Sequence, residues 1–156
     1  KSIEGKSLDG YSTHFSFERE AVRRGWWNYS REFGSPLNMK EYYKVTVPSK
    51  TTDGNVDLII YTQTTSVKGG ASFFLGVEGE EYKEQSKNLL IDFKKGFYID
   101  QVLEKIDVKK DEAKNLSDEY EETVLEDRRV AILNEITAIK AEIEAYKSEI
   151  RAIEKQ

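Results

Sequence analysis

The residues that could do chemistry in this chain are few, and their spacing argues against most of it. There is no cysteine among the 156 residues, which removes disulfides, thiolate zinc sites and cysteine nucleophiles together. His14 is the single histidine: it cannot build a His-rich metal site, and as a general base it would need partners that spacing does not supply. It reads as an ordinary half-exposed residue. Glu78, Glu80 and Glu81 could gather carboxylates at a strand end and hold a cation, but no further ligands stand at calcium-loop spacing, so a solvated acidic turn is expected. The hydroxyls between Thr62 and Ser66 have no histidine or lysine at motif spacing to make them nucleophilic. Gly69-Gly70 and Gly76-Val77-Glu78-Gly79 lack the lysine and flanking pattern of a phosphate-binding loop. The reading is therefore a non-enzymatic protein with no cofactor and no metal.

Recognition has more support than catalysis. Trp27, Tyr29, Tyr42, Tyr61 and Phe74 are large amphipathic or aromatic groups that could border a cleft for a lipid or glycan. The elements that would carry them follow from apolar period. From Phe17 to Phe33, Val22, Trp26, Tyr29 and Phe33 make one helical stripe with charged residues around the remainder. Ser16 is placed to cap this helix, and Gly34-Ser35-Pro36 to stop it. Trp27 falls off the stripe, so this helix either packs on a sheet alone or lends Trp27 and Tyr29 to a pocket.

The period then drops to two. Tyr42–Val47, Val56–Gln63 and Ser72–Val77 each keep one apolar face, and the Thr52-Asp53-Gly54-Asn55 turn and other short links make them an antiparallel meander. Tyr42, Ile59, Tyr61 and Phe74 fall on the opposite face, which is too apolar for simple solvation and calls for a second layer or a ligand. Tyr11–Phe17 suggests a further short strand, and Lys1–Gly10 a mobile or edge-pairing N-terminus.

From about Glu81 the pattern is helical again. Lys109, Lys110, Lys114 and Asn115 read as a helix end and Ser117-Asp118-Glu119 as the next start, giving two long helices with a turn near 107–117, or one longer helix. Leu125, Ile132, Ile136, Ile139, Ile143, Tyr146, Ile150 and Ile153 then recur at coiled-coil seam spacing, interrupted by Arg129. Two ways of burying this seam stay open. An antiparallel hairpin would lay it on Ile99, Val102 and Ile106, whereas a parallel oligomer would use Glu135 with Lys140 and Glu142 with Lys147.

Charge narrows the partners. Residues 1–106 hold fifteen acidic and fifteen basic groups, and residues 107–156 fourteen against nine, so the net −5 sits in an acidic tail. Nucleic acid is not an expected partner. No apolar run is long enough to span a bilayer. The start at Lys1 rather than Met fits a processed product or a cloned boundary.

Gly25-Trp26-Trp27-Asn28-Tyr29, Tyr42-Tyr43-Lys44-Val45-Thr46-Val47-Pro48, Gly70-Ala71-Ser72-Phe73-Phe74-Leu75 and the charged coil behind them resemble small exported proteins of Bacteroidetes-type bacteria whose roles are uncharacterised. The resemblance implies an extracytoplasmic location and transfers no functional residue. The expected fold is α+β: a three-stranded antiparallel meander with an N-terminal aromatic helix, then long C-terminal helices in a coiled-coil hairpin. Residues 1–80 form the head, with the following helix packed on it to about 98, and 81–156 the tail. The leading functional expectation is an interaction or scaffold protein, its tail a spacer or oligomerisation element that engages a protein partner or itself. The alternative is a ligand-binding head.

Overall fold

The computed structural model describes residues 2–48 and 57–156. Its strands are β1 (Ser2–Ile3), β2 (Lys6–Ser7), β3 (Gly10–Phe15), β4 (Ser35–Asn38), β5 (Tyr43–Val47), β6 (Leu58–Val67) and β7 (Gly70–Val77). Its helices are α1 (Arg19–Ser30), α2 (Lys83–Glu122) and α3 (Glu126–Glu154), with a 3-10 turn at Glu80–Tyr82 ahead of α2. The fold is α+β, and the chain divides into two compact units, Lys1–Lys94 and Lys95–Gln156.

In the first unit the strands predicted at 42–47, 56–63 and 72–77 are consecutive neighbours, but they are the inner part of a larger sheet. The order is β3-β7-β6-β5-β4, antiparallel throughout. The three-stranded expectation is thus corrected to five. The added edge β4 comes from the Gly34-Ser35-Pro36 stretch that reads as a helix stop. Pro36 cannot donate to a ladder, and an edge position is where a strand tolerates that. The turn at Thr52–Asn55 and the start of the strand at Val56 lie outside the described residues.

One face of this sheet holds Phe15, Val45, Ile60, Phe73 and Leu75, all essentially inaccessible. Covering it are α1 and the first turns of α2. Trp26, fully buried, meets Phe73 at 5.5 Å and Phe93 at 5.2 Å between ring centroids. Such contacts among large rings supply much of a small core. α1 starts at Arg19 with Glu18 at its N-cap and no side-chain cap bond, so Ser16 does not have the capping role expected of it.

The opposite face is the one whose apolar character called for a second layer. The N-terminal segment supplies it. β1 and β2 pair in the register Ser2↔Ser7 and Ile3↔Lys6, and Glu4 and Gly5 between them have φ of 55° and 72°. Positive φ at both central residues is the turn that matches strand twist in a two-residue hairpin. Ile3 and Leu8 then pack with Tyr61 and Phe74, and Tyr42 and Ile59 flank that cluster.

In the second unit, α2 passes through 107–117 without a break and ends at Glu122. The turn predicted there is corrected to Thr123–Leu125. Ala113 and Leu116 explain the difference. Both pack beside Val102, Ile106, Ile139 and Ile143, and this long-range burial outweighs a local run of lysines that reads as a helix end. The two helices run antiparallel: Glu119 pairs with Arg128, Lys109 with Glu142, and Lys105 lies over the Tyr146 ring.

Candidate functional site

The five aromatic candidates are not gathered around one cleft. Tyr29 turns into the core, 5.4 Å from Phe33 and 5.4 Å from Phe93 by ring centroid, and burial raises its pKa, with the nearby Asp92 and Glu32 charges adding to the rise. Trp27 leaves the core by the flank of α1 and meets Tyr43 edge-on at 5.6 Å. Tyr42, Tyr61 and Phe74 lie together on the other side of the sheet, under the β1–β2 hairpin. Trp26, which carries no expectation as a site residue, has a buried indole N–H with no hydrogen-bond partner among the described residues. The rings of Tyr29, Phe33, Phe73 and Phe93 pack around this indole, all within 6.3 Å by centroid distance.

Under the hairpin, Glu4 is the organising group. Its carboxylate accepts from the Tyr42 hydroxyl at 2.5 Å and from the Tyr61 hydroxyl at 3.3 Å, with Lys44 Nζ 3.7 Å away. The Tyr42 hydrogen bond holds the Glu4 carboxyl below its ordinary value, with help from Lys44. The same bond pushes the Tyr42 hydroxyl up to about 12. Lys6 pairs with Glu78 at 2.6 Å, which raises the ammonium's pKa and ties the acidic turn to the hairpin. A tyrosine that resists ionisation and a carboxylate that resists protonation make a fastening, with each group's charge state stabilised by the other.

On the flank of α1, Trp27 and Arg31 share an open cleft of about 420 Å³ with Gly34, Ser35 and Pro36. Among the described residues no group of three or more His, Cys, Asp or Glu is placed to hold a metal ion.

In the helical pair, the seam residues divide. Ile132, Ile136, Ile139 and Ile143 are buried, and Tyr146, Ile150 and Ile153 are half-buried against the same cluster. Leu125 is 71% exposed at the N-cap of α3, so its place in the seam is corrected: the turn falls there, and the periodic stripe has no opposing helix to meet. Arg129, which interrupts the stripe, stacks its guanidinium over Tyr120 at 4.2 Å. The acidic and basic groups expected to pair between parallel copies are used differently. Glu142 binds Lys109 at 2.9 Å, Glu135 lies 3.6 Å from Arg128, and Lys147 reaches Glu144 at 3.5 Å. Exposed apolar side chains concentrate near the turn: Val124 is 93% accessible, Val130 48% and Leu133 47%. No sequence period marks them, because they lie off the seam.

Compared with family models, curated proteins and solved structures, the chain finds no match.

Proposed function

We propose that this is a non-enzymatic interaction protein whose two long helices form a coiled-coil hairpin that docks a protein partner. The observation that carries this reading is the cluster at the turn, where Val124, Leu125, Val130 and Leu133 stay exposed within ten residues while the isoleucine seam beside them is buried. A hairpin that only had to fold would put polar residues there, and large apolar groups left exposed so close together in the chain point to an interaction site.

Charge describes the partner. Asp118, Glu119, Glu121, Glu122, Glu126 and Asp127 flank the apolar turn, with Arg128 and Arg129 committed to Glu119 and Tyr120. A surface with an apolar socket and a basic rim complements that pattern. A second copy of the same turn would bring like charges together. Self-association through the seam is likewise disfavoured, because Ile139 and Ile143 are already used against Val102 and Ile106. A working place outside the cytoplasm belongs to the same reading and rests on the resemblance to exported proteins. Among the described residues no helix is long and apolar enough to cross a membrane.

Two measurements test this. Sedimentation equilibrium of the intact chain is expected to give a mass near the 18.0 kDa of one copy at all concentrations. Affinity capture from an envelope extract is expected to retain proteins with the intact chain and lose them with Val124→Ser/Leu125→Ser. A mass that rises with concentration, or identical captures by the two proteins, would sink the reading.

A further inference from the structure

Arg23, Trp27 and Arg31 stand four residues apart on α1 and its C-cap, so they share one flank of the helix. This flank is separate from the stripe that packs on the sheet. Arg23 lies over the Tyr43 ring at 4.6 Å and donates to Glu20 at 3.2 Å and to the Lys40 carbonyl at 3.2 Å. Tyr43 in turn meets Trp27 edge-on at 5.6 Å. The indole is therefore held from one side by a fixed ladder. Arg31 is exposed, and together the two line the cleft of about 420 Å³ that Gly34, Ser35 and Pro36 also wall. Gly34 sets that wall, because a Cβ there would come within 2.8 Å of the Thr46 carbonyl oxygen and 2.8 Å of Val45 Cγ1, so any other residue would lift the wall off β5.

We propose that this cleft binds a single acidic sugar ring, the uronic-acid residue of a polysaccharide. The face of a pyranose is a patch of C–H groups that an indole covers, and its ring carboxylate matches the forked donors of an arginine. Ser35 adds a hydroxyl that can donate to or accept from ring hydroxyls. Among the described residues no carboxylate lines the cleft to oppose the anion. The site narrows the ligand expectation for the head to one of its five aromatics, and it does not depend on the docking role of the helical hairpin. Single-stranded nucleic acid also stacks on aromatic rings and binds arginine, but it needs a basic groove and successive platforms. Residues 1–94 hold thirteen acidic and thirteen basic groups, and the described residues of this cleft hold one aromatic ring.

The test is calorimetric titration of the intact chain with tetragalacturonate, with neutral cellotetraose and an oligothymidylate as comparisons. Tetragalacturonate is expected to bind saturably and cellotetraose at least about tenfold more weakly, the factor of one charge-assisted hydrogen bond. Arg31→Gln, a surface change that leaves the helical circular dichroism intact, should remove that difference. Arg24→Gln alters charge equally on another flank of α1 and should keep it. Trp26 is fully buried, so any shift in tryptophan emission on binding reports Trp27. Absence of binding at about 10 mM sugar, where even the weakest specific complexes register, would overturn the proposal. So would equal affinity for the neutral sugar, equal loss in Arg24→Gln, or tighter binding of the oligothymidylate.

Discussion

Ile139 and Leu125 occupy equivalent seam positions by spacing, yet the structure buries one and exposes the other, so truncating each to alanine should have unequal effects. Ile139 is 7% accessible and packs with Val102, Ile106 and Ile143. Ile139→Ala removes three carbons from that cluster. At ~0.8 kcal/mol for each buried methylene this is about 2.4 kcal/mol of lost transfer energy, and the cavity left behind adds to it. The expected cost is about 3 kcal/mol. Leu125 is 71% accessible, so Leu125→Ala should cost at most ~0.5 kcal/mol. Urea unfolding followed by helical circular dichroism at two protein concentrations well apart reads both values. Equal costs for the two variants would show that Leu125 has a buried partner and refute the turn at 123–125. Unfolding midpoints that fall at lower protein concentration would place the seam between copies instead of within one.

Three further outcomes follow from the first unit. Glu4 is held below its ordinary carboxyl value, 4.5, chiefly by the Tyr42 hydroxyl, so its contribution is full above that value and fades as pH falls through the lower folded one; Glu4→Gln should flatten the acid limb of the stability profile, and an unchanged limb would disprove the fastening. Tyr42, pushed up to about 12, contributes fully below the ordinary tyrosine value of 10.0 and loses that contribution as pH rises through about 12. Ultraviolet titration should therefore show a tyrosine step near pH 12, and Tyr42→Phe should remove that step. Gly34→Ala should cost about 1–3 kcal/mol by overpacking against β5. A neutral effect in thermal melts would mean that the wall of the Trp27 cleft can move.

The parts of this fold that announce themselves in the sequence are those with enough residues to show a period. Val22, Trp26 and Tyr29 declare a helix, the alternation from Tyr43 to Val47 declares a strand, and Ile132 to Ile143 declare a partner helix. β1 and β2 do not, because two residues each cannot display alternation. β4 is hidden by Ser35-Pro36, whose local chemistry says stop before its pairing says edge strand. The unbroken α2 is hidden by Lys109, Lys110, Lys114 and Asn115, whose signals are local, while Ala113 and Leu116 are decided by residues about thirty positions away. The aromatic candidates divide for a geometric reason that spacing contains: Trp27 and Tyr29 are two residues apart, about 200° around a helix at ~100° per residue. One must face the core when the other does not. What spacing could not reveal is Glu4, because the groups that define it stand thirty-eight and fifty-seven residues away.

The three-residue link between α2 and α3 also sets the order in which their contacts can form. Arg128 and Glu119 are nine residues apart in sequence, Glu142 and Lys109 thirty-three, and Tyr146 and Lys105 forty-one. Each pair, once made, shortens the loop that the next must close, so the entropy of closure is spread over many small increments. The expected order of assembly is therefore that of a zipper, with the crossing at Arg128 closing first and Val102, Ile106, Ile139 and Ile143 locking in afterwards. Opening runs the other way, from the crossing of Lys105 and Tyr146 toward the turn. Amide protons nearest Glu154 should exchange fastest, while those around Ile132 should be among the last to open.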